Sequence, residues 1–351
     1  MTKGIVAGFD IGYANVKAVF KDSFGKIYKE TFPRTISMEK GSAWSHMRKV
    51  DIYSIDDMRF LIGKDALLNL KQAVSFETRD YMEHQSYWAC VVKTFYDAGI
   101  LHEDNTSIHL DKLVLGLAPG HYNKDLIKTM TEIPLAGISV SINGRKYCVK
   151  SSSVNVLPQG SGCFFAYLLD DSGDYKKKRE KVTGDMFGIV DIGYKTIDFV
   201  VFSEGQFVPD NDELSEDNGF KYILEGLRDQ IFEKHNLKVD VERLNFQLTN
   251  GGKIKIHRKD YDLIAAMKQI AVEYITNKVE PEILKRWEDD LPLMERLIIS
   301  GGGAHIFKQS ENFSKKYGDI CYVPIEPEMD NAAGFFRFGM RSSKPMLRRV
   351  A

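Results

Sequence analysis

The sequence has few cysteines, no long apolar run and almost no net charge, and each shortage excludes a class of protein. The four cysteines are scattered without a C-x-x-C pair, which disfavours a disulfide framework or a zinc site and indicates buried thiols in a reducing compartment. No apolar run reaches the length needed to span a membrane. A formal charge of −1 provides no overall field that would attract nucleic acid or an anionic membrane.

The N-terminal residues lead directly into a strand-like run and show no signal-peptide pattern. Together with the cysteine usage, this favours a soluble, cytoplasmic protein. At 351 residues the chain is long enough for two domains with cores of their own.

The most informative feature that is present is a repeat. The tetrapeptide DIGY ends one apolar run at Asp10–Tyr13 and another at Asp191–Tyr194, 181 residues later. Each copy is followed by a second apolar run and a turn containing glycine, at 23–26 and 203–206. The pattern predicts two similar half-molecules, each with a hairpin whose tip carries an acidic residue and a glycine.

The residue types at the two tips suit a metal–triphosphate held between them. An aspartate holds Mg²⁺, usually through water, and a glycine lets backbone N–H groups approach phosphate oxygens. Asn15 and Lys17 share one face of the following strand, so Lys17 could reach a β- or γ-phosphate. Taken alone, a D-x-G turn is also typical of an ordinary hairpin with a solvated lysine; the duplication favours the phosphate interpretation.

Two further segments could serve the same site. Gly301, Gly302 and Gly303 follow the apolar run 294–300 and precede a predicted helix, so their backbone could lie against a base or ribose, although flexible loops also use such runs. Gln159 follows a predicted strand and opens a predicted helix. Its amide could position an attacking water, since it both donates and accepts, but it could equally cap the helix.

Hydrophobic periodicity predicts strands at 4–9, 15–20, 26–32 and 113–119, and hairpins around Asn143-Gly144 and near 249–253. It predicts helices at 81–98, 121–131, 162–169, 218–236, 259–287 and 330–340, and a charged loop at 170–184. Strands followed by helices, twice over, indicate a mixed α/β protein. We predict a first lobe at 1–162 with a small subdomain near 33–80, closed by 330–351. The second lobe would be 163–329, with a subdomain near 206–290.

The motifs in this order resemble the actin-like ATPase superfamily. The order is a first phosphate hairpin (10–17), a connecting helix (159–169), a second phosphate hairpin (191–198), a glycine motif (300–303) and a closing helix (330–340). The stretches GYANVK and DIGYKTIDFV are most similar to the ParM (StbA-type) plasmid-segregation actins and their archaeal relatives. The resemblance implies an α/β, ribonuclease H-like, duplicated two-lobe fold with a nucleotide cleft between the lobes.

The resemblance also implies roles for residues. Asp10 and Asp191 would organise Mg²⁺ through water, and Gln159 would position the hydrolytic water, which makes these three the expected catalytic residues. The expected nucleotide-binding residues are Gly12, Tyr13, Asn15, Lys17, Gly193, Tyr194, Lys195, Thr196, Gly301, Gly302 and Gly303. The nucleotide would be ATP or GTP. Tyr13 and Tyr194 depart from the smaller residues of many family members, so their rings must point away from the phosphates or crowd them.

Two functions remain open on the sequence. The first is an ATPase that polymerises into nucleotide-dependent filaments, for plasmid segregation or a cytoskeletal role. Its partners would be further copies of itself and a DNA-bound adaptor protein, without direct DNA reading and without a membrane. The alternative is a small-molecule kinase, for which Asp198 would be the candidate base. The basic run 176–181 is interpreted as a solvated loop.

Overall fold

A computed structural model describes residues 4–39, 50–56, 58–67, 73–74, 85–177, 179, 185–208 and 215–341. The chain divides into two compact units. The first unit combines Met1–Lys181 with Met329–Ala351, and the second is the continuous stretch Val182–Glu328. The lobe and subdomain limits given above stay a prediction.

The strands are β1 Ile5–Ile11, β2 Asn15–Lys21, β3 Ile27–Pro33, β4 Ile36–Met38, β5 Tyr53–Ile55, β6 Met58–Ile62, β7 Ala73–Val74, β8 Ser107–Leu117, β9 Ile138–Ile142, β10 Arg145–Ser151, β11 Val154–Pro158, β12 Met186–Ile192, β13 Ile197–Ser203, β14 Gln206–Val208, β15 Ser215–Glu216, β16 Lys253–Ile256, β17 Lys259–Asp262, β18 Met294–Ser300 and β19 Cys321–Tyr322. The helices are α1 Lys64–Leu67, α2 Gln85–Asp97, α3 Lys124–Ala136, α4 Ser161–Leu168, α5 Lys221–His235, α6 Val241–Thr249, α7 Leu263–Tyr274, α8 Glu280–Trp287, α9 Glu311–Tyr317 and α10 Asp330–Arg341.

The first unit is built on one mixed sheet with the order β3-β2-β1-β8-β10-β9-β5-β6-β4-β7 among the described residues. β1 and β2 are antiparallel, and β1 runs parallel to β8. The long strand β8 also pairs in parallel with β10 along its first half and with β11 along its second half. The carboxyl ends of β1 and β11 therefore lie on either side of the same end of β8, which brings distant residues together.

Each face of this sheet buries a different helix. The rings of Phe9 and Phe20 pack against Phe95 of α2, with centroids 5.9 and 4.8 Å apart. On the other face, Val19 packs with Ala332 and Phe336 of α10. Because apolar burial on both faces stabilises a sheet, β1 and the second half of β8, from Leu113 to Leu117, are nearly continuous apolar runs.

Helices α4 and α10 approach each other, and α10 approaches β1, closely enough to require glycine. A Cβ on Gly334 of α10 would stand 1.7 Å from the carbonyl oxygen of Gly162 in α4. A Cβ on Gly8 of β1 would stand 2.2 Å from the backbone nitrogen of Phe336. Small residues around 160–162 and 331–334 thus allow the backbones of α4 and α10 to come into direct contact.

The second unit repeats the strand arrangement with a smaller sheet, ordered β14-β13-β12-β18-β19, with β15 beside β13. β12 is antiparallel to β13 and parallel to β18, as β1 is to β2 and β8. Its main core joins β12, β13 and β18 to the helices α7, α8 and α9. A separate cluster unites α5, α6 and the hairpin of β16 and β17.

Most predicted elements are confirmed, including the hairpins at both DIGY repeats and the turn at Asn143-Gly144, where both residues have positive φ. The hairpin predicted near 249–253 is present, but it begins only at Lys253 and its turn lies further along the chain. Gly251 and Gly252, with φ of 106° and 66°, follow the end of α6, and the hairpin turn lies at His257-Arg258. Both turn residues take the left-handed conformation without glycine, so the usual turn signal was missing there.

Two helix predictions also need correction. The segment predicted as one helix over 259–287 begins with strand β17, and its helical part contains a π-helical turn at Ile275–Val279. The helix expected directly after the glycine run is a 3₁₀ helix, Ala304–Gln309. Parts of the predictions for 33–80, 81–98, 170–184 and 330–351 lie outside the described residues. Among the described residues, none of the helices combines the length and apolar character needed to span a bilayer.

Candidate functional site

The first DIGY repeat places a buried carboxylate at the end of β1. Asp10 is 3% exposed and stands directly opposite Lys17 on β2. The Lys17 Nζ lies 2.9 Å from Asp10 Oδ2, and the Gln159 Nε2 donates to Asp10 Oδ1 at 2.7 Å. A carboxylate at this depth needs such donors, because burying an unpaired charge is costly.

Gln159 reaches Asp10 because of strand order. β11 runs parallel to β8, and the Gln159 N–H donates to the carbonyl of Leu117 at 2.8 Å, one residue beyond the strand. The side chain is nearly buried. The structure thus brings together three residues that the sequence analysis placed in one site, with Gln159 and Lys17 both bound to Asp10.

Both repeats form the same tight tip. The Gly12 N–H donates to the carbonyl of Asn15 at 3.0 Å, and the Gly193 N–H donates to the carbonyl of Thr196 at 2.9 Å. The amides of the two glycines are therefore used within the turns. The first tip has room beside it, since a Cβ on Gly12 would meet only the Asn15 carbonyl oxygen, at 3.6 Å, whereas a Cβ on Gly193 would stand 3.1 Å from the Thr196 carbonyl oxygen.

The two tyrosines of the tips pack toward protein. Tyr13 packs against the core of the first unit, with the guanidinium carbon of Arg34 5.5 Å from its ring centroid. Tyr194 packs against the cluster formed by α5, α6 and their hairpin. Neither ring is among the atoms nearest to the open side of Gly12 or to the side of Gly193.

The second tip differs from the first in charge. Asp191 stands directly opposite Asp198 on β13, in the position that Lys17 holds opposite Asp10. Both carboxylates are buried, Asp198 at 3% exposure. Two carboxylates at facing positions repel each other unless donors or a cation compensate them.

The tip of the second hairpin is held by a segment that the sequence analysis missed. The N–H groups of Gly219, Phe220 and Lys221 donate to the carbonyls of Lys195, Gly193 and Tyr194 at 2.8 to 2.9 Å. The Tyr274 hydroxyl in turn donates to the carbonyl of Asn218 at 2.5 Å. Burial raises the pKa of Tyr274, so it remains a donor at neutral pH.

The glycine loop lies beside Asp191, because β12 and β18 pair Asp191 with Ser300. A Cβ on Gly301, which has φ of 82°, would stand 2.4 Å from Asp191 Oδ1, and one on Gly303 would stand 2.3 Å from Ile192 Cγ2. Gly302 has nothing within 4 Å on that side. Two of the three glycines are thus needed for close packing on the tip, and the third faces open space.

Asn331 is another contributor that sequence reasoning missed. Its Oδ1 accepts from the N–H of Gly160 at 2.9 Å and from the Cys163 thiol at 3.4 Å. The residue fixes the loop between Gln159 and α4 to α10. Its only sequence signal is a polar residue in an otherwise small and apolar helix face.

Taken by itself, each unit has residues that fit a phosphate-bearing ligand and a hard metal ion. Glycine side faces are open at Gly12 and Gly302, and the acidic oxygens at the tips are the ligand type that Mg²⁺ prefers. In the part of the chain that the structure describes, no group of three or more His, Cys, Asp or Glu side chains could hold a metal ion. Water and phosphate oxygens would have to complete its coordination.

Replacing Lys17 with methionine is expected to lower the free energy of unfolding by about 1 to 3 kcal/mol, because the buried Asp10 carboxylate loses its cationic donor. Urea unfolding measures the difference. Lys21→Met, on the same strand, is the control and should cost less. If both variants lost the same free energy of unfolding, the contact between Lys17 and Asp10 would contribute nothing to stability.

Solved structures similar to this chain share one fold. An archaeal actin homologue is 19% identical with a TM-score of 0.72, over 95% of this chain and 98% of the other. Actin-like protein Alp7A is 14% identical with a TM-score of 0.74, over 96% of each chain. ParM from a 15-stranded filament of Clostridium botulinum is 18% identical with a TM-score of 0.66, over 97% and 99%. The chain therefore has the actin-like two-domain α/β fold with mixed sheets.

Two family models match the sequence itself. The N-terminal domain of actin-like proteins matches residues 8–162, and the C-terminal domain of MreB-like archaeal actin homologues matches residues 189–311. Each match includes one DIGY tip. The chain belongs to the actin-like proteins, a family that includes filament-forming members. No curated protein sequence matches it significantly.

Proposed function

We propose that this protein is an actin-like ATPase that assembles into nucleotide-dependent filaments and serves plasmid or DNA segregation or a cytoskeletal role. The observation that carries the proposal is the repeated hairpin tip, which has a buried aspartate and a glycine in the same turn geometry in each copy. Two relatives support the ligand and the assembly: an archaeal actin homologue was solved in complex with ADP, and a ParM was solved as a filament.

Each residue of the tips has a part in this proposal. Asp10 and Asp191 would hold Mg²⁺ through water, while Asn15, Lys17, Lys195, Thr196 and the two tips would contact phosphates. Gly301–Gly303 would flank the nucleoside. When bound, the Mg²⁺–nucleotide supplies the phosphoanhydride bond that is hydrolysed and the metal charge that stabilises the departing phosphate.

Gln159 is the proposed water-positioning residue. Its Nε2 donates to Asp10, which leaves its carbonyl oxygen as an acceptor for the hydrogen of a water. Asp10 thereby orients Gln159, and it would also hold the metal. An amide does not remove the proton itself, so its contribution is orientation of the attacking oxygen.

The assembly partner is a further copy of the chain, and a DNA-bound adaptor would connect the filament to its cargo. The near-zero net charge fits a protein that does not read DNA itself. Within the basic run 176–181, the Lys176 Nζ donates to the Ala166 carbonyl at 2.5 Å, and burial lowers its pKa. Lys176 therefore folds onto α4, and its ammonium group is less available to DNA than that of a lysine in a solvated loop.

The test is light scattering of the purified protein with Mg²⁺–ATP or Mg²⁺–GTP, recorded together with phosphate release. We expect scattering to rise when nucleotide is added and to fall as phosphate accumulates. The nucleotide that gives the lower critical concentration is the preferred one. Turnover without scattering, even in concentrated protein, would contradict filament formation and lead to a screen of hydroxyl compounds as kinase substrates.

A further inference from the structure

The turn between β2 and β3 holds a phenylalanine out in solvent. Phe24 is 96% exposed. The turn that carries it is rigid, because the buried Asp22 accepts from the N–H groups of Phe24 and Lys26, both at 2.9 Å, and from the Tyr28 hydroxyl at 3.2 Å. A large apolar side chain fixed in water on a preorganised turn is typical of an interface anchor.

Basic and apolar residues surround this anchor. Lys26, Ile27 and Lys29 are all exposed, and Lys26 Nζ lies 4.4 Å from the Tyr28 ring centroid. They belong to β3 or its approach, and β3 is an edge strand of the sheet in the described part of the chain. We call Phe24, Lys26, Ile27 and Lys29 the basic hairpin surface.

The second unit carries a surface of opposite character. Glu288, Asp289 and Asp290 follow α8 in sequence, and Leu293 close by is 70% exposed. We call these four residues the acidic turn. Its backbone is fixed, since the N–H of Asp290 donates to the carbonyl of Trp287 at 3.0 Å and that of Leu293 donates to Asp290 at 2.8 Å.

The acidic turn has charge that the rest of the described chain does not neutralise. Among the described residues, no ion pair involves Glu288, Asp289 or Asp290. The nearby basic side chains Lys285 and Arg286 pair with Glu282, and Arg296 pairs with Glu295. The acidic turn therefore presents negative charge next to an exposed apolar side chain, as the basic hairpin surface presents positive charge next to Phe24.

We propose that the basic hairpin surface of one copy docks on the acidic turn of a second copy. This rests on the proposed function and assigns it one pair of contacting surfaces. The two surfaces match in charge and in having one apolar anchor, and both are rigid before contact, which reduces the entropy that docking costs. Because the surfaces differ from each other, the contact is head-to-tail in type and extends to an open assembly unless its rotation closes a ring.

Charge reversal with mixing tests the proposal. One variant carries Lys26→Glu and Lys29→Glu, and the other carries Glu288→Lys and Asp289→Lys. Each should fail to assemble alone with Mg²⁺–ATP, since like charges would then face each other. An equimolar mixture should pellet, because each variant then offers the surface that the other needs. The exposed pair Lys124→Glu and Lys128→Glu on α3 is the matched control and should assemble normally.

Three results would overturn the proposed contact. They are normal assembly of either reversed variant, no rescue in the mixture, or assembly that does not weaken with rising salt. Thermal unfolding of each variant shows that the fold is kept. Phe24→Ala provides an independent check and should raise the critical concentration at least about tenfold.

The experiment also separates this proposal from the proposed function. If wild-type protein does not assemble with either nucleotide, filament formation fails. Sedimentation without nucleotide then tests the contact by itself. Wild-type protein should still form dimers, each charge-reversed variant alone should not, and the equimolar mixture should form them again. Monomers at every concentration would overturn the contact as well.

Discussion

Replacing Gly334 with alanine is expected to lower the free energy of unfolding by more than about 3 kcal/mol. The added Cβ would stand 1.7 Å from the carbonyl oxygen of Gly162 and 2.9 Å from the backbone nitrogen of Ala166. These are backbone atoms of α4, so no side-chain rotation relieves the clash. The two helices must separate, and α10 then loses its packing on β1 as well. Urea unfolding followed by circular dichroism measures the loss.

The control is Gly226→Ala, also within a helix. There the Cβ would meet only a side chain, Ile270 Cγ2 at 3.2 Å, and alanine favours a helix by about 0.5 to 1 kcal/mol over glycine. We expect a change within about 1 kcal/mol of zero. Similar stabilities for the two alanine variants would show that α4 and α10 can move apart at little cost.

Asp191→Asn should reduce the rate of phosphate release at least about 100-fold, if the proposed ATPase is correct. The substitution preserves shape and removes the charge that, in the proposed function, would organise the metal and its waters. Phosphate release at saturating nucleotide measures the effect, and binding of a fluorescent nucleotide shows separately whether affinity changes. The effect should appear in the rate even where nucleotide still binds, because the lost charge matters most as phosphate departs.

Glu204→Gln is the matched control, since it removes an exposed carboxylate from the turn of the same hairpin unit. It should release phosphate at the wild-type rate. If Asp191→Asn and Glu204→Gln hydrolyse nucleotide equally fast, Asp191 has no part in the reaction. The metal would then have to be placed elsewhere.

The features that the sequence predicts best are local. An apolar run ending in DIGY signals a strand and its turn within a dozen residues, and the structure confirms the hairpins at both repeats. The contact between Gln159 and Asp10 is different, because it depends on β8 lying between β1 and β11. The family resemblance placed both residues in one site, but neither it nor the periodicity gave the strand order that brings them into contact.

The failures have equally physical reasons. His257 and Arg258 adopt left-handed backbone without glycine, while Gly251 and Gly252 offered a better turn signal nearby. Asn331 holds the Gly160 amide across 171 residues of sequence, and a single polar residue in a helix does not reveal its partner. The charge difference at the tips could be read directly from Lys17 and Asp198, once the register placed them in equivalent positions.

The order of the two units along the chain also bears on how the protein is made. The second unit is one continuous stretch, whereas the first needs α10, which leaves the ribosome after all of the second unit has been synthesised. Until then, the tight surface formed by Gly8 and Gly162 lacks its partner helix. Domains generally fold as units during synthesis. The second unit can therefore complete its fold before the first does. Although most of the first unit is synthesised earlier, it finishes folding only after α10 has been made.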